Sequence, residues 1–269
     1  METHADNPKK NVIAIIPARR GSTRLANKML LPIGGKPLIL HTLAQANKAS
    51  TVSRAIVATD DQEIFDVVVA SGGEAVLTSI EHASGSDRIA EVAETLPHGS
   101  VIVNVQGDEP LISPGTIDAA VNALLGDPAA DVATACEPIT DLHSELLNPN
   151  VVKAVVGVNG YALYFSRSPM PWPREASLKY GGDPNKAIEA EPQLLSLFRK
   201  HTGLYVYRRE YLLEFTKLSP TKLEMTERLE QLRAMENGAK IRVVDVLDKS
   251  IAVDTQEDLD RVRSVLEAA

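Results

Sequence analysis

Short apolar runs alternate with stretches of helical periodicity through the first half of this chain. Runs at 12–16, 54–58, 75–77, 101–105 and 131–136 predict strands, and amphipathic spacing at 38–49, 62–71, 86–96 and 114–125 predicts helices between them. A strand–helix alternation of this kind predicts a mostly parallel sheet with helices on both faces, joined by right-handed crossovers. Gly72 and Gly73 mark the end of the second helix, where glycine relieves the left-handed cap. From about Asn148 the pattern changes. The runs 151–156 and 161–165 flank the turn 157–160, a hairpin signal that adds an antiparallel element. A polar stretch with glycine and proline follows, from 174 to about 192, and reads as a long loop that is a candidate lid. A strand at 201–207, a long amphipathic helix at 221–238, a strand at 241–246 and a terminal helix at 255–268 complete the pattern.

Composition narrows the classes. With 269 residues, 44% of them hydrophobic, the chain has enough apolar material for one large α/β domain or one domain with an insertion. A net charge of −8 disfavours nucleic acid as a partner. The single Cys136 excludes an internal disulfide framework and a cysteine-built zinc site, and its place in an apolar run reads as core. No run is long enough to span a bilayer, and the first eleven residues read as a polar tail without an apolar leader segment, so a cytoplasmic location is expected.

Two loops carry candidate chemistry. The first predicted strand runs into Pro17, then into Arg19, Arg20, Gly21, Ser22, Thr23, Arg24 and Lys28. Four cations among small residues at the carboxyl end of a strand suit a polyphosphate, although no Walker A pattern occurs and a solvated basic patch is the plainer alternative. The strand at 101–105 leads into Gln106, Gly107, Asp108 and Glu109. Asp108 is a candidate Mg²⁺ ligand, because that ion takes one or two carboxylates and completes its shell with water and phosphate. The alternative is that Asp108 and Glu109 cap the helix that Pro114 starts. Asp254, before Thr255, reads equally as a helix cap.

Several segments in order resemble one family, the 3-deoxy-manno-octulosonate (Kdo) cytidylyltransferases, over 12–265. They are Ile16 to Arg19 with Ser22 to Leu25, His82 to Arg88, Val103 to Pro110, Ala162 to Arg167, His201 to Tyr205, Leu229 to Arg233 and Val253 to Thr255. The resemblance implies a Rossmann-like nucleotide-diphospho-sugar transferase fold in a single domain, 12–269, with an antiparallel dimerisation flap around 148–210 and a homodimeric assembly. It implies transfer of CMP from CTP to Kdo with release of pyrophosphate, for lipopolysaccharide synthesis. The family's two Mg²⁺ carboxylates fall on Asp108 and Asp254, and its phosphate-contacting cations on Arg19 and Lys28. Ala18, Ser22, Thr23, Thr78, Ser84 and Gln106 match the nucleotide side. Arg167, His201, Tyr205, Glu230 and Gln231 match the Kdo pocket, with a buried strand histidine the alternative for His201.

The chain departs from the family pattern in two places. Leu25, Ala26, Asn27, Lys28 stands where members commonly carry Leu-Pro-Gly-Lys, which puts the stiffness of that loop in question, and Ile251-Ala252 replaces a glycine-containing approach to Asp254. An 8-amino-Kdo or sialic acid substrate, or a non-catalytic nucleotide-binding regulator, are the alternative functions.

Overall fold

A computed structural model describes residues 11–19, 21 and 25–267. Its strands are β1 (Val12–Ala18), β2 (Pro32–Ile33), β3 (Lys36–Pro37), β4 (Arg54–Thr59), β5 (Glu74–Leu77), β6 (Val101–Asn104), β7 (Val132–Pro138), β8 (Lys153–Val156), β9 (Ala162–Ser166), β10 (Arg199–Arg208) and β11 (Ile241–Asp245). Its α-helices are α1 (Leu38–Lys48), α2 (Gln62–Ala70), α3 (Gly85–Glu94), α4 (Pro114–Leu125), α5 (Arg174–Lys179), α6 (Pro184–Ala190), α7 (Arg209–Phe215), α8 (Lys222–Glu227), α9 (Glu230–Glu236) and α10 (Gln256–Glu267).

The main sheet runs β11-β7-β10-β6-β1-β4-β5. Its strands are parallel except β10, which is antiparallel to both β6 and β7, while the β8–β9 hairpin pairs onto β10 from the side. The architecture is therefore α/β with a mostly parallel sheet, as the alternation in the sequence predicts. β1 explains why its run is apolar throughout. Val12, Ala14 and Ile16 enter one core cluster with Leu38 and Ile117, whereas Ile13 and Ile15 enter a second with Ile89, Leu212 and Leu232. A strand covered on both faces has no solvent side on which to place a polar residue.

The second half departs from the sequence reading in three places. The stretch from 174 is not a long loop. It folds as α5, α6 and a 3₁₀ turn at Pro192–Leu197. Asp183 caps α6 through the Asn185 and Lys186 N–H groups with Pro184 in the first turn, and Ile188 and Phe198 pack with Ile139, Leu142 and Leu146 in a third cluster. Spaced widely among polar residues, those few apolar positions make a weak periodic signal. The helix read at 221–238 is two helices, broken where Arg228 adopts φ 56°. The break turns the chain so that Leu229 is buried and α9 points its first turn back toward α3. Helix α7, between two predicted elements, had no reading of its own. The predicted hairpin at 151–165 is present as β8 and β9.

Candidate active site

A cleft of about 500 Å³ opens at the carboxyl ends of β1 and β6, the edge at which open α/β sheets collect ligands. On its wall, the end of β1 contributes Ala18 and Arg19, the turn after β6 contributes Gln106 and Asp108, and the segment before α10 contributes Asp254. Lys28 sits at the centre. Its Nζ donates to Asp108 Oδ2 at 2.7 Å and to Asp254 Oδ1 at 3.1 Å, and the side chain is only 9% exposed. Thus a single cation joins three segments separated by 80 and 226 positions in the sequence.

Local structure explains how each group arrives. Asn27 holds φ 51° immediately before Lys28, a left-handed conformation that asparagine tolerates far better than most residues. The departure at that position therefore keeps the backbone geometry that a glycine would provide. Gly107 is fixed by close approach: a Cβ there would lie 2.8 Å from the Pro17 carbonyl oxygen and 3.2 Å from Met29 Sδ. Thr42 Oγ1 donates to the Gly107 carbonyl at 2.9 Å, locking the turn that presents Asp108. On the other side, the Val253 N–H donates to the Asp108 carbonyl at 2.9 Å, which brings the next residue, Asp254, beside it. Asp254 also takes part in the start of α10, where its N–H donates to Asp258 Oδ2 at 3.2 Å. The carboxylate faces the cleft even though the backbone serves a helix terminus.

The amino end of α3 forms a further wall. Ser84 caps it in a reciprocal box with Asp87, and Ser84 and Gly85 both line the cleft. A helix amino terminus aimed into a cleft adds partial positive charge and unpaired N–H groups, both suited to phosphate. Arg88, one turn on, is buried and anchored by Asp60 Oδ2 at 2.6 Å and by Thr78 Oγ1. Thr78 does not line the cleft itself but bonds Arg88, which does. His82 also lines the cleft and bonds to Glu91. Hydrogen bonds from the Ser79 N–H and from His82 hold the Glu91 carboxyl below its ordinary range.

The residues read from the sequence divide into three groups. Ala18, Arg19, Lys28, Ser84, Gln106, Asp108, Glu230 and Asp254 share the cleft. Glu230 reaches it because Ser86 Oγ donates to its Oε2 at 2.6 Å, pinning the start of α9 against α3. Arg167, His201, Tyr205 and Gln231 lie off the cleft wall in this single chain. Arg167 is engaged with backbone, its Nε donating to the Glu227 carbonyl at 2.7 Å and its Nη1 to that of Pro149 at 2.9 Å. His201 is the buried strand histidine of the alternative reading. Burial pushes its imidazole down to about 3, and its Nε2 lies 3.0 Å from Thr134 Oγ1. Since the Thr134 hydroxyl spends its one proton on the Leu204 carbonyl, it accepts from His201, which is therefore the neutral Nε2–H tautomer. The Tyr205 ring lies between that of His201, tilted against it at 5.2 Å, and that of Tyr207, stacked on it at 5.8 Å. Gln231 is buried on α9. Ser22 and Thr23, with Arg20 and Arg24, lie outside the described residues.

Arg88, His82 and Gly107 were not singled out from the sequence as site residues. His82 and Arg88 lie at the two ends of one of the family-like segments, and that is the signal that points to them. Next to Asp108, Glu109 is buried and its carboxyl is pushed up to about 7 by that burial and by the charge of Asp108.

As a metal centre the pair Asp108 and Asp254 has a definite character. Among the described residues there is no group of three or more His, Cys, Asp or Glu side chains able to hold a metal ion. Two hard carboxylates that already gather around one ammonium fit Mg²⁺, which leaves most of its shell to water and phosphate, and do not fit a closed protein cage.

Comparison with known proteins agrees with this geometry. The family described as Cytidylyltransferase matches residues 13–241. A 3-deoxy-manno-octulosonate cytidylyltransferase of Trichlorobacter lovleyi is 50% identical over 252 residues, 94% of this chain and 97% of that protein. One from Geobacter sulfurreducens is 49% identical over 94% of this chain and 98% of its own length. A solved CMP:2-keto-3-deoxy-manno-octonic acid synthetase, complexed with CTP, superposes with a TM-score of 0.84 at 38% identity, covering 96% of this chain and 99% of that one. The 4-diphosphocytidyl-2C-methyl-D-erythritol synthase of Anaerococcus prevotii, 13% identical with a TM-score of 0.60 over 96% of this chain and 99% of its own, shares the fold. Sequence, fold and cleft converge, and the chain belongs to the 3-deoxy-manno-octulosonate cytidylyltransferase family.

Proposed function

We propose that this protein transfers CMP from CTP to Kdo, giving CMP-Kdo and pyrophosphate, and that it does so with Mg²⁺ held by Asp108 and Asp254. The observation that carries the site assignment is Lys28, held between those two carboxylates at the carboxyl edge of the sheet. When bound, the ion would draw charge from the phosphate oxygens and lower the pKa of a coordinated hydroxyl. The chain's own groups do the rest. Arg19 and the amino end of α3 receive the triphosphate, and Lys28 stabilises charge that grows on the departing pyrophosphate. Glu230 accepts from sugar hydroxyls at the opposite wall. No covalent enzyme intermediate is needed, since the sugar hydroxyl attacks the α-phosphorus in line and rate enhancement comes from positioning and electrostatics.

The same reading includes a homodimer. Val158 and Leu163, in and beside the β8–β9 hairpin, are exposed in the single chain, the latter by 61%, and a two-fold partner would bury them. Among the described residues no helix is long and apolar enough to cross a membrane. The proposed reaction would feed lipopolysaccharide synthesis from the cytoplasm. A pyrophosphate-release assay with each of the four NTPs against Kdo, 8-amino-Kdo and sialic acid, with and without Mg²⁺, tests the reaction. Release with CTP and Kdo only when Mg²⁺ is present is the expected result. Preference for another sugar or nucleotide overturns the substrate assignment, and turnover in chelator overturns the metal. Light scattering showing a monomer overturns the dimer.

A further inference from the structure

The stretch 246–254 connects β11 to Asp254 without helix or strand, yet it delivers a carboxylate to 3.1 Å from Lys28. Backbone bonds hold its two ends, from the Val246 N–H to the Cys136 carbonyl at 2.8 Å and from the Val253 N–H to the Asp108 carbonyl at 2.9 Å. Between them Ser250 is gripped from three directions. Its Oγ donates to Glu109 Oε2 at 2.9 Å, its N–H donates to Glu137 Oε1 at 3.2 Å, and its carbonyl accepts from Lys200 Nζ at 3.4 Å. Lys200 Nζ also reaches Glu137 Oε2 at 3.1 Å. Glu109 is 7% exposed and Glu137 1%, so two carboxylates are buried around one ammonium, an arrangement whose desolvation cost can exceed what the ion pair returns. The fold makes room for it. A Cβ on Gly203 would stand 3.1 Å from Glu109 Oε1 and 3.3 Å from Gln106 Cγ, in the part of β10 where its register with β7 shifts.

Chain position gives this cluster its meaning. Glu109 directly follows Asp108, and Ser250 lies four residues before Asp254. The Glu109–Ser250 hydrogen bond therefore adds a side-chain tie, beside the Val253–Asp108 backbone bond, between the segment carrying the first carboxylate and the segment carrying the second. We infer that Glu109 and Ser250 form a clasp, backed by Glu137 and Lys200, that sets the spacing of Asp108 and Asp254. The inference rests on the proposed catalytic role of that pair. Both clasp residues are positioning residues, since neither lines the cleft.

The test compares wild type, Ser250→Ala and Ser250→Thr as full-length proteins by two readouts. Hydrogen exchange of peptides spanning 246–254 should quicken about fivefold in Ser250→Ala, as expected for one lost hydrogen bond of ordinary strength. The kcat for pyrophosphate release should fall roughly tenfold with KM for CTP little changed, because displacing a reacting group by about 1 Å is enough to cost more than that. Ser250→Thr keeps the hydroxyl and should restore both. Unchanged exchange in Ser250→Ala, or a kcat loss that Ser250→Thr leaves in place, overturns the clasp. Should wild type release no pyrophosphate from CTP and Kdo, the proposed reaction fails while the exchange comparison still decides the clasp.

Discussion

The proposed nucleotide side and the proposed sugar side of this molecule are built on different principles. Around the cleft, Asp108, Asp254, Lys28 and Ser84 come from strand ends and helix starts, and their functional atoms converge in one chain. On the hairpin side, Arg167, His201 and Tyr205 are spent on internal contacts: backbone carbonyls, a threonine hydroxyl and a ladder of rings running from Phe165 to Phe215. Parallel strands all deliver their carboxyl ends to one edge, so a site there is assembled by topology alone. An antiparallel hairpin has no such edge, and its side chains face whatever packs on it. The proposed nucleotide-side groups that reach the cleft therefore do so within one chain, whereas among the described residues of the proposed sugar side Glu230 alone lines it.

The largest effect should come from the assembled side. Asp108→Asn keeps the shape of the turn but removes charge, and kcat should fall on the order of a hundredfold or more, as for loss of one preorganised electrostatic group. Urea denaturation should show little change in stability. A variant that turns over normally at saturating Mg²⁺ would break the claim that this half is the catalytic one.

Next in size is Lys28→Ala. The ammonium is buried against two carboxylates, and charge on the leaving pyrophosphate grows toward the transition state, so the loss should fall on kcat more than on KM for CTP. We expect roughly tenfold or more in kcat. A rise in KM with kcat intact would make Lys28 an anchor for the ground state only.

Most of the assembled half was legible in the sequence, and the reason is physical. A doubly covered strand must be a continuous apolar run, so β1 and β6 are visible, and the residues just after them must lie at the ligand edge. Asp108 could be placed from that alone. Asp254 could not, because its segment has no periodicity, and only likeness to a family singled it out. The hairpin side was less legible. The buried state of His201 depends on Thr134, 67 positions away, and on β10 running antiparallel between β6 and β7, and nothing local in the sequence announces either. Likewise the break at Arg228 falls in a segment whose periodicity reads as one helix, since neither proline nor glycine marks it.

A smaller effect should follow from Arg167→Ala. Arg167 donates to the carbonyls of Glu227 and Arg228, and its N–H bonds Glu227 Oε2 at 3.1 Å, so it fastens the end of β9 to the kink just ahead of Glu230. Loosening that kink should raise KM for Kdo about fivefold, the worth of roughly one ordinary hydrogen bond, and leave KM for CTP unchanged. Arg167→Lys should not restore it, because a point charge cannot replace the forked donor. Equal losses on both substrates would show that the two halves are not energetically separate.

The last effect leaves turnover unchanged, falls on stability alone and bears on whether His201 belongs to the core beside the hairpin or to a binding surface. Its folded pKa of about 3 lies below the unfolded value of about 6.5. Below pH 6.5 the unfolded chain takes up a proton that the folded chain refuses, so the unfolded state binds more protons and stability falls as pH falls toward 3. At one pKa unit per about 1.4 kcal/mol, this histidine alone should cost wild type as much as about 2 kcal/mol between pH 7 and pH 5. His201→Gln can still donate to Thr134 but does not titrate. Urea midpoints measured at both pH values should therefore show the variant losing less stability than wild type over that interval. Identical losses, or an imidazole resonance titrating near pH 6.5, would place His201 in contact with solvent and return it to the list of groups free to meet the sugar.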